Sequence, residues 1–244
     1  MAYPRPAPDD REEIALEAAQ LAHTPRHGFQ GDRAPAPPAP AVPASLTIAV
    51  SREAGSRGGS IARGVGIKLG WQVYTQDLLE YISQESALHR DMVQGIADES
   101  VHWVNERFER LLREQNLSQH PSVGNMARVI LTLGAQGEVI LLGRGAGCIL
   151  PPETTLHVRI YAPLADRVAY MSQWLRLTVD EAAEQVRLRD LSRAQFLEAH
   201  FHRSPGDIYH YDLLLNSSVL GEEACAALIA QAARAKLALR AEPE

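Results

Sequence analysis

The sequence predicts an α/β protein in which a parallel sheet is covered by helices on both faces. Three observations predict it. Short apolar, β-branched runs recur along the chain, most are followed by a stretch with helical spacing, and one of the junctions is glycine-rich. The chain has 244 residues, 45% hydrophobic and 22% charged, the profile of an ordinary globular protein. Its natural partition is a leader over residues 1–45 and a single domain over 46–240, long enough to bury a proper core.

Taken in order, residues 9–23 (DDREEIALEAAQLAH) place Ile14, Leu16, Ala18 and Leu21 behind early acids, which suits a short helix with a favourable dipole. Alone such a helix is marginal. Residues 34–44 (APAPPAPAVPA) cannot pack a core and favour an extended, polyproline-like spacer. The leader therefore reads as unstructured, with a docking helix on a semi-rigid arm as the alternative.

The domain opens with a buried strand, residues 46–50 (LTIAV), then a glycine-rich turn at 55–60 and a helix through Ile61, Ala62, Val65, Ile67 and Leu69 that ends at Gly70. A short strand at 72–74 leads into a helix from 77 to about 86. Residues 91–136 read as two or three helices, with Val101, Val104, Phe108, Leu111 and Leu112 spaced for one buried face. A strand at 139–142 runs into Gly143-Arg144-Gly145-Ala146-Gly147. Another strand spans 156–161 (LHVRIY), followed by a helix over 164–175. Thr178 and Glu181 form a capping-box pair opening a helix that runs towards Phe201. A last strand at 212–216 precedes a closing helix over 221–239.

The formal charge of −6 argues against a surface that coats nucleic acid, which needs net positive charge to displace counterions. Local arginines can still build a cationic pocket for a small anion. Cys148 and Cys225, both in apolar segments, read as small buried hydrophobes. No apolar run reaches the ~18 residues of a membrane span, and the N-terminus has no apolar signal core, so the expected compartment is the cytoplasm. Oligomeric state has no signal here.

In open parallel sheets ligands bind beyond the carboxyl ends of the strands. The first strand ends directly in residues 51–60 (SREAGSRGGS), where glycines let backbone N–H groups turn around a phosphate and the following helix N-terminus adds its positive end. Gly55, Ser56, Gly58, Gly59 and Ser60 are the candidate cradle. The loop lacks the lysine of a standard P-loop: with Ala54-Gly55-Ser56 aligned to the usual Ala-Gly-Ser, Gly58 falls at the lysine and Gly59 at the magnesium-binding hydroxyl. Ser60 is the nearest remaining hydroxyl for a metal. Arg52 and Arg57 are the guanidinium candidates to restore the charge. His200 and His202 lack the spacing and carboxylate partners of a metal site.

Four segments in order, SREAGSRGGSIAR at 51–63, LLGRGAG at 141–147, RLRDLSRAQF at 187–196 and YDLLLNSS at 211–218, resemble the cytidylate kinase-like family of nucleoside monophosphate kinase relatives over most of residues 46–238. That branch resembles this chain in carrying glycine where the kinase lysine usually stands. Arg57 replaces what is usually another glycine, and Thr75 stands where the family tends to place an aspartate. The resemblance implies a P-loop-type three-layer sandwich with helical acceptor-binding (about 76–130) and lid (187–205) segments. It places Arg144 against the acceptor nucleotide, and Arg189 and Arg193 in the lid, oriented by Asp190, with Arg187 and Arg203 in second rank. Arg189, Arg193 and Arg57 are the catalytic candidates. Arg52, Gly55, Ser56, Gly58, Gly59, Ser60, Arg144 and Asp190 are the phosphate- or nucleotide-binding candidates, and Ser60 the metal candidate. The activity implied is ATP- and Mg²⁺-dependent phosphorylation of a nucleoside monophosphate, CMP or dCMP first. A non-catalytic nucleotide-binding or sensory module, or a kinase for another small substrate, remains the alternative.

Overall fold

The computed structural model describes residue 43, residues 45–114, residue 117 and residues 120–241. The leader helix and all of the spacer except Pro43 lie outside these residues. The described chain forms β1 (Thr47–Arg52), α1 (Gly58–Leu69), β2 (Gln72–Tyr74), α2 (Gln76–Gln84), α3 (Ser86–Gln94), α4 (Asp98–Arg113) and α5 (Pro121–Gln136). It continues with β3 (Val139–Leu142), the single turn α6 (Ala146–Ile149), β4 (Thr155–Tyr161), α7 (Leu164–Leu175), α8 (Val179–Phe201), β5 (Leu213–Asn216) and α9 (Ser217–Ala241). The order and type of the elements expected within residues 46–240 are those found.

All strand pairs are parallel, in the order β2-β3-β1-β4-β5. The chain leaves β1 towards β2 and β3 on one side and later adds β4 and β5 on the other. The carboxyl ends of β1 and β4 therefore flank the switch point, where an open sheet leaves a crevice. Side chains alternate across each strand. Ile48, Val50, Ile140, Leu142, Leu156, Val158 and Ile160 pack on Ile61 and Val65 of α1 and Cys225 and Ile229 of α9. On the other face Ala49, Tyr74, Val139 and Leu141 join a core with Leu78, Phe108, Ile130 and Leu133 from α2, α4 and α5. A third, smaller cluster, Ala54, Val168, Met171, Ala182 and Val186, supports the loop after β1 on α7 and α8.

Local sequence explains the boundaries. Gly70 closes α1 in the left-handed region (φ 72°) with its N–H on the Gly66 carbonyl. Thr75 caps α2 by accepting from the Leu78 N–H, and Thr178 and Glu181 form the reciprocal capping box of α8. Two expectations shift. In α4 the buried face is Trp103, Val104, Phe108 and Leu111, while Leu112 is exposed, because it lies about 100° around the helix from the middle of that stripe. The closing helix begins four residues early, at Ser217, and is interrupted by non-helical backbone at Gly221 (φ 75°), the residue from which a helix was expected. Among the described residues no helix is long and apolar enough to cross a membrane.

Candidate functional site

A cavity of about 370 Å³ opens at the carboxyl ends of β1 and β4, between the β3–α6 turn and the second half of α8. Its charged wall is arginine-rich: Arg52, Arg144, Arg159, Arg193 and Arg203 all line it, against the carboxylates of Glu53 and Asp190. The cationic excess makes this the place in an acidic chain where an anion is attracted.

The glycine-loop candidates Gly55, Ser56, Gly58, Gly59 and Ser60 follow this wall in sequence but do not line the cavity. Gly55 has φ 78°, and a Cβ there would stand 2.5 Å from the Arg167 carbonyl oxygen, so only glycine lets loop and α7 approach this closely. Ser56 is fully buried, and its hydroxyl lies near the Glu53 carbonyl (2.9 Å) and the Ile160 carbonyl (3.3 Å). Gly58, Gly59 and Ser60 form the first turn of α1, whose N–H groups have no acceptor within the helix. The Ser60 hydroxyl donates to the Arg57 carbonyl at 3.0 Å, which leaves its oxygen lone pairs for a cation. Among the described residues there is no cluster of three or more His, Cys, Asp or Glu side chains suited to a metal. The fit for magnesium is therefore Ser60 together with a ligand's own phosphates and water, the usual habit of that ion.

The two loop arginines diverge. The Arg52 stem crosses Gly58, where a Cβ would meet Arg52 Cβ at 2.7 Å, and its Nη2 donates to Gln76 Oε1 at 3.1 Å. Its stem thus covers the glycine that stands at the lysine position, and its guanidinium reaches on to Gly143 and Gln76. Arg57, the left-handed N-cap of α1 (φ 59°), turns the other way. It stands 3.8 Å from Glu222 and over the Tyr170 ring, with its side chain 40% exposed, and does not line the cavity.

The lid candidates divide in the same manner. Arg193 lines the cavity and donates to the Arg52 carbonyl at 3.4 Å. Arg189, half-buried one helical turn earlier, is not in the cavity wall. Asp190 is a bracket. One carboxylate oxygen accepts from the Ala54 N–H at 2.7 Å and the other from Arg167 Nη1 at 2.5 Å, with Arg193 at 3.6 Å. It ties α8 to the start of the loop. Arg144, left-handed at φ 54°, pairs with Glu80 of α2 and stands over the Phe196 ring of α8, so the acceptor-side helices and α8 meet on it.

Sequence reasoning missed Glu53, Arg159 and Arg167. Arg167 is 9% exposed and donates to the Ala54 and Ala162 carbonyls and to Asp190, with Glu53 3.3 Å away. Such a hub has no local signature, since its partners come from three separate segments. Arg159 did have one. In LHVRIY every second residue is polar or amphipathic, and that alternation puts His157 and Arg159 on the cavity face. Arg159 reaches Ser51 Oγ at 3.2 Å. His157 is 92% buried by its 8% exposure, and burial holds its pKa below the usual 6.5. Burial also lifts the nearby Cys148 thiol to about 11, so it stays protonated.

Comparisons with known proteins bear on the same region. Residues 47–219 match the cytidylate kinase-like family. Over 93 residues the chain is 32% identical to a uronate isomerase of Corynebacterium glutamicum, covering 38% of this chain and 18% of that protein. The chain thus spans less than a fifth of that curated relative. A solved structure of an uncharacterized protein from Eubacterium ventriosum shares the fold, with a TM-score of 0.55 at 16% identity, covering 78% of this chain and 99% of that one. A shikimate kinase from Bacteroides thetaiotaomicron aligns with a TM-score of 0.42 at 12% identity, covering 79% and 98% of the two chains.

Proposed function

Because the chain belongs to the cytidylate kinase-like family, we propose that it transfers a phosphoryl group from ATP to a nucleoside monophosphate held in the 370 Å³ cavity. CMP and dCMP are the first acceptors to test on family grounds. The observation that carries the reading is the convergence of Arg52, Arg144 and Arg193 on one wall, beside the loop and the N-terminus of α1.

Phosphoryl transfer spreads negative charge over several oxygens and asks the protein mainly for positioning and cationic stabilisation. Magnesium-bound ATP supplies the phosphoryl group when present, with Ser60 the loop hydroxyl nearest such a cation. Arg52, whose stem packs on Gly58 and whose guanidinium lies at Gly143 in the cavity wall, takes the part of the absent lysine. Arg193 faces it from α8, and Arg144 holds the acceptor phosphate. Asp190 and Arg167 keep α8 against the loop, so that Arg193 arrives in register and water is kept from the reacting oxygens. Gly55 allows that approach, and Gly58, Gly59 and Ser60 offer N–H groups to the donor phosphates.

Two observations favour a second reading, a nucleotide-binding module without turnover. The loop lacks its lysine, and the Ala54 N–H is already taken by the Asp190 carboxylate. A coupled assay of ADP release with MgATP against CMP, dCMP, UMP, AMP and GMP decides between them. Turnover near or above ~1 s⁻¹ with one or two acceptors supports the kinase. Silence across the panel, with nucleotide binding seen by calorimetry, supports the module. Silence without binding overturns both and directs attention to other small substrates.

A further inference from the structure

The cavity is graded. Most of its arginines stand at the carboxyl edge of the sheet, and its deeper end, two residues back along β4, is formed by His157 with a single arginine, Arg203, beside His210. His157 and Arg159 share one face of β4, about 6.6 Å apart along the strand, and pair with Ala49 and Ser51 of β1. The same cavity is walled by Ala49, Gly147, Cys148, His210 and Tyr211, and by Arg203, whose Nη1 lies 2.7 Å from His210 Nε2. The same imidazole also walls a second cavity of about 270 Å³, so it stands in the partition between the two.

The hydrogen bonds around His157 define what this partition offers. Its backbone N–H donates to Asp212 Oδ2 at 2.9 Å, which fixes the residue at the edge of β5. Its Nδ1 lies 3.3 Å from the His210 carbonyl oxygen, and a carbonyl can only accept, so Nδ1 carries the hydrogen. Burial keeps the ring neutral. Nε2 is then a lone-pair acceptor, buried and without a hydrogen-bond partner among the described residues. Buried polar atoms in folded proteins are nearly always paired, and an exception at a cavity wall marks a place where something else supplies the partner.

We propose that His157 is a specificity-determining residue of the acceptor site, its Nε2 accepting a hydrogen bond from an N–H or O–H on the neutral end of the substrate. The inference rests on the kinase reading for the identity of the bound molecule and on the cavity alone for its chemistry. A substrate with an anionic group at Arg52, Arg144 and Arg193 extends its other end towards His157, and there an amino or hydroxyl group is accepted while a carbonyl oxygen meets a second lone pair. A site built to pair a polar group discriminates strongly against analogues that lack it.

The test uses nucleotide pairs that differ in one donor: CMP against UMP, AMP against IMP, and the ribonucleotide against its 2′-deoxy form. Each is measured by coupled ADP release and by calorimetry. For the wild type, at least one pair should favour the donor-bearing member by about tenfold or more, in KM or Kd rather than kcat. His157→Leu should reduce that ratio to within about threefold, and His157→Gln, which keeps an acceptor oxygen, should retain more of it. Flat wild-type ratios in all three pairs overturn the inference without any variant. A ratio unmoved by His157→Leu in an active enzyme overturns it too and leaves the kinase standing. Discrimination in binding that depends on His157, with no ADP released, supports the inference and overturns the kinase. Absence of both binding and turnover overturns both. If His157→Leu shows no cooperative melt, His157→Gln decides by the same ratio.

Discussion

The two faces of the sheet are the same strands read at alternate positions, yet they obey different rules. On the face covered by α1 and α9, β4 contributes Leu156, Val158 and Ile160, none more than 3% exposed. On the opposite face the same strand contributes His157 and Arg159, which meet a cavity instead of a helix. The apolar face contributes stability through burial alone. The polar face groups arginines and carboxylates whose pairing keeps buried charge tolerable, and removing one partner leaves the other exposed to the full desolvation penalty. Along β4 one face specifies the fold and the other uses it, while the rest of the second face is core through Val139 and Leu141, so substitutions at alternate positions of this strand should separate into stability and turnover.

The largest effect is expected on the polar face. Arg52→Ala removes the guanidinium at the cavity wall, and kcat should fall by about a thousandfold, the scale of a lost cation in phosphoryl transfer, with nucleotide Kd rising far less. A fall in kcat below about tenfold would remove Arg52 from the lysine's role. On the apolar face, Ile160→Ala deletes a fully buried side chain and should lower stability by about 2–5 kcal/mol in urea melts while kcat/KM stays within about twofold. Should Ile160→Ala impair turnover as strongly as stability, the separation of the faces fails.

A smaller effect follows from titration. His157 binds its proton below pH 6.5 because burial penalises the charged ring. The unfolded chain therefore holds more protons between that depressed pKa and 6.5, and stability rises with pH across the window. The contribution is fully present above about pH 6.5 and is lost as pH falls through the window. His89 and His200 are lowered for the same reason and add in the same direction. Melting temperatures at about pH 7.5 and about pH 5.5 should differ more for the wild type than for His157→Gln. Equal differences would mean that the ring is not held neutral.

The apolar face was legible in the sequence because its information is local. A four-residue run such as 139–142, apolar on both faces of the sheet, is buried whatever its neighbours are, and a capping box announces itself within four residues. The polar face was legible only where charge sits inside a motif, at Arg52, Arg144 and Arg193. Arg167 joins Ala54, Ala162 and Asp190, up to 113 residues away, and no window of sequence contains that hub. Glu53 lies within the loop motif, but nothing local marks a carboxylate whose partners are Arg159 and Arg167. Arg159 and His157 do have a local signal, the alternation of LHVRIY.

The smallest effect concerns Arg57, and it sharpens the comparison most. Both Arg52 and Arg57 flank the glycine loop, and the sequence reading puts Arg57 among the catalytic candidates and Arg52 among the phosphate-binding ones. Their backbones divide them otherwise. Arg52 ends a strand, so its side chain leaves along the carboxyl edge of the sheet and into the cavity. Arg57 is the left-handed N-cap of α1, a conformation that throws its side chain outward to Glu222 and Tyr170. That ion pair is about two-fifths exposed on each side and worth little to stability. Arg57→Ala should accordingly leave kcat within about threefold of wild type and stability within ~1 kcal/mol. A kcat loss approaching that of Arg52→Ala would show that the loop turns Arg57 inward when nucleotide binds. The cation facing the phosphates would then be chosen by the ligand, and the strand end would not have set it in advance.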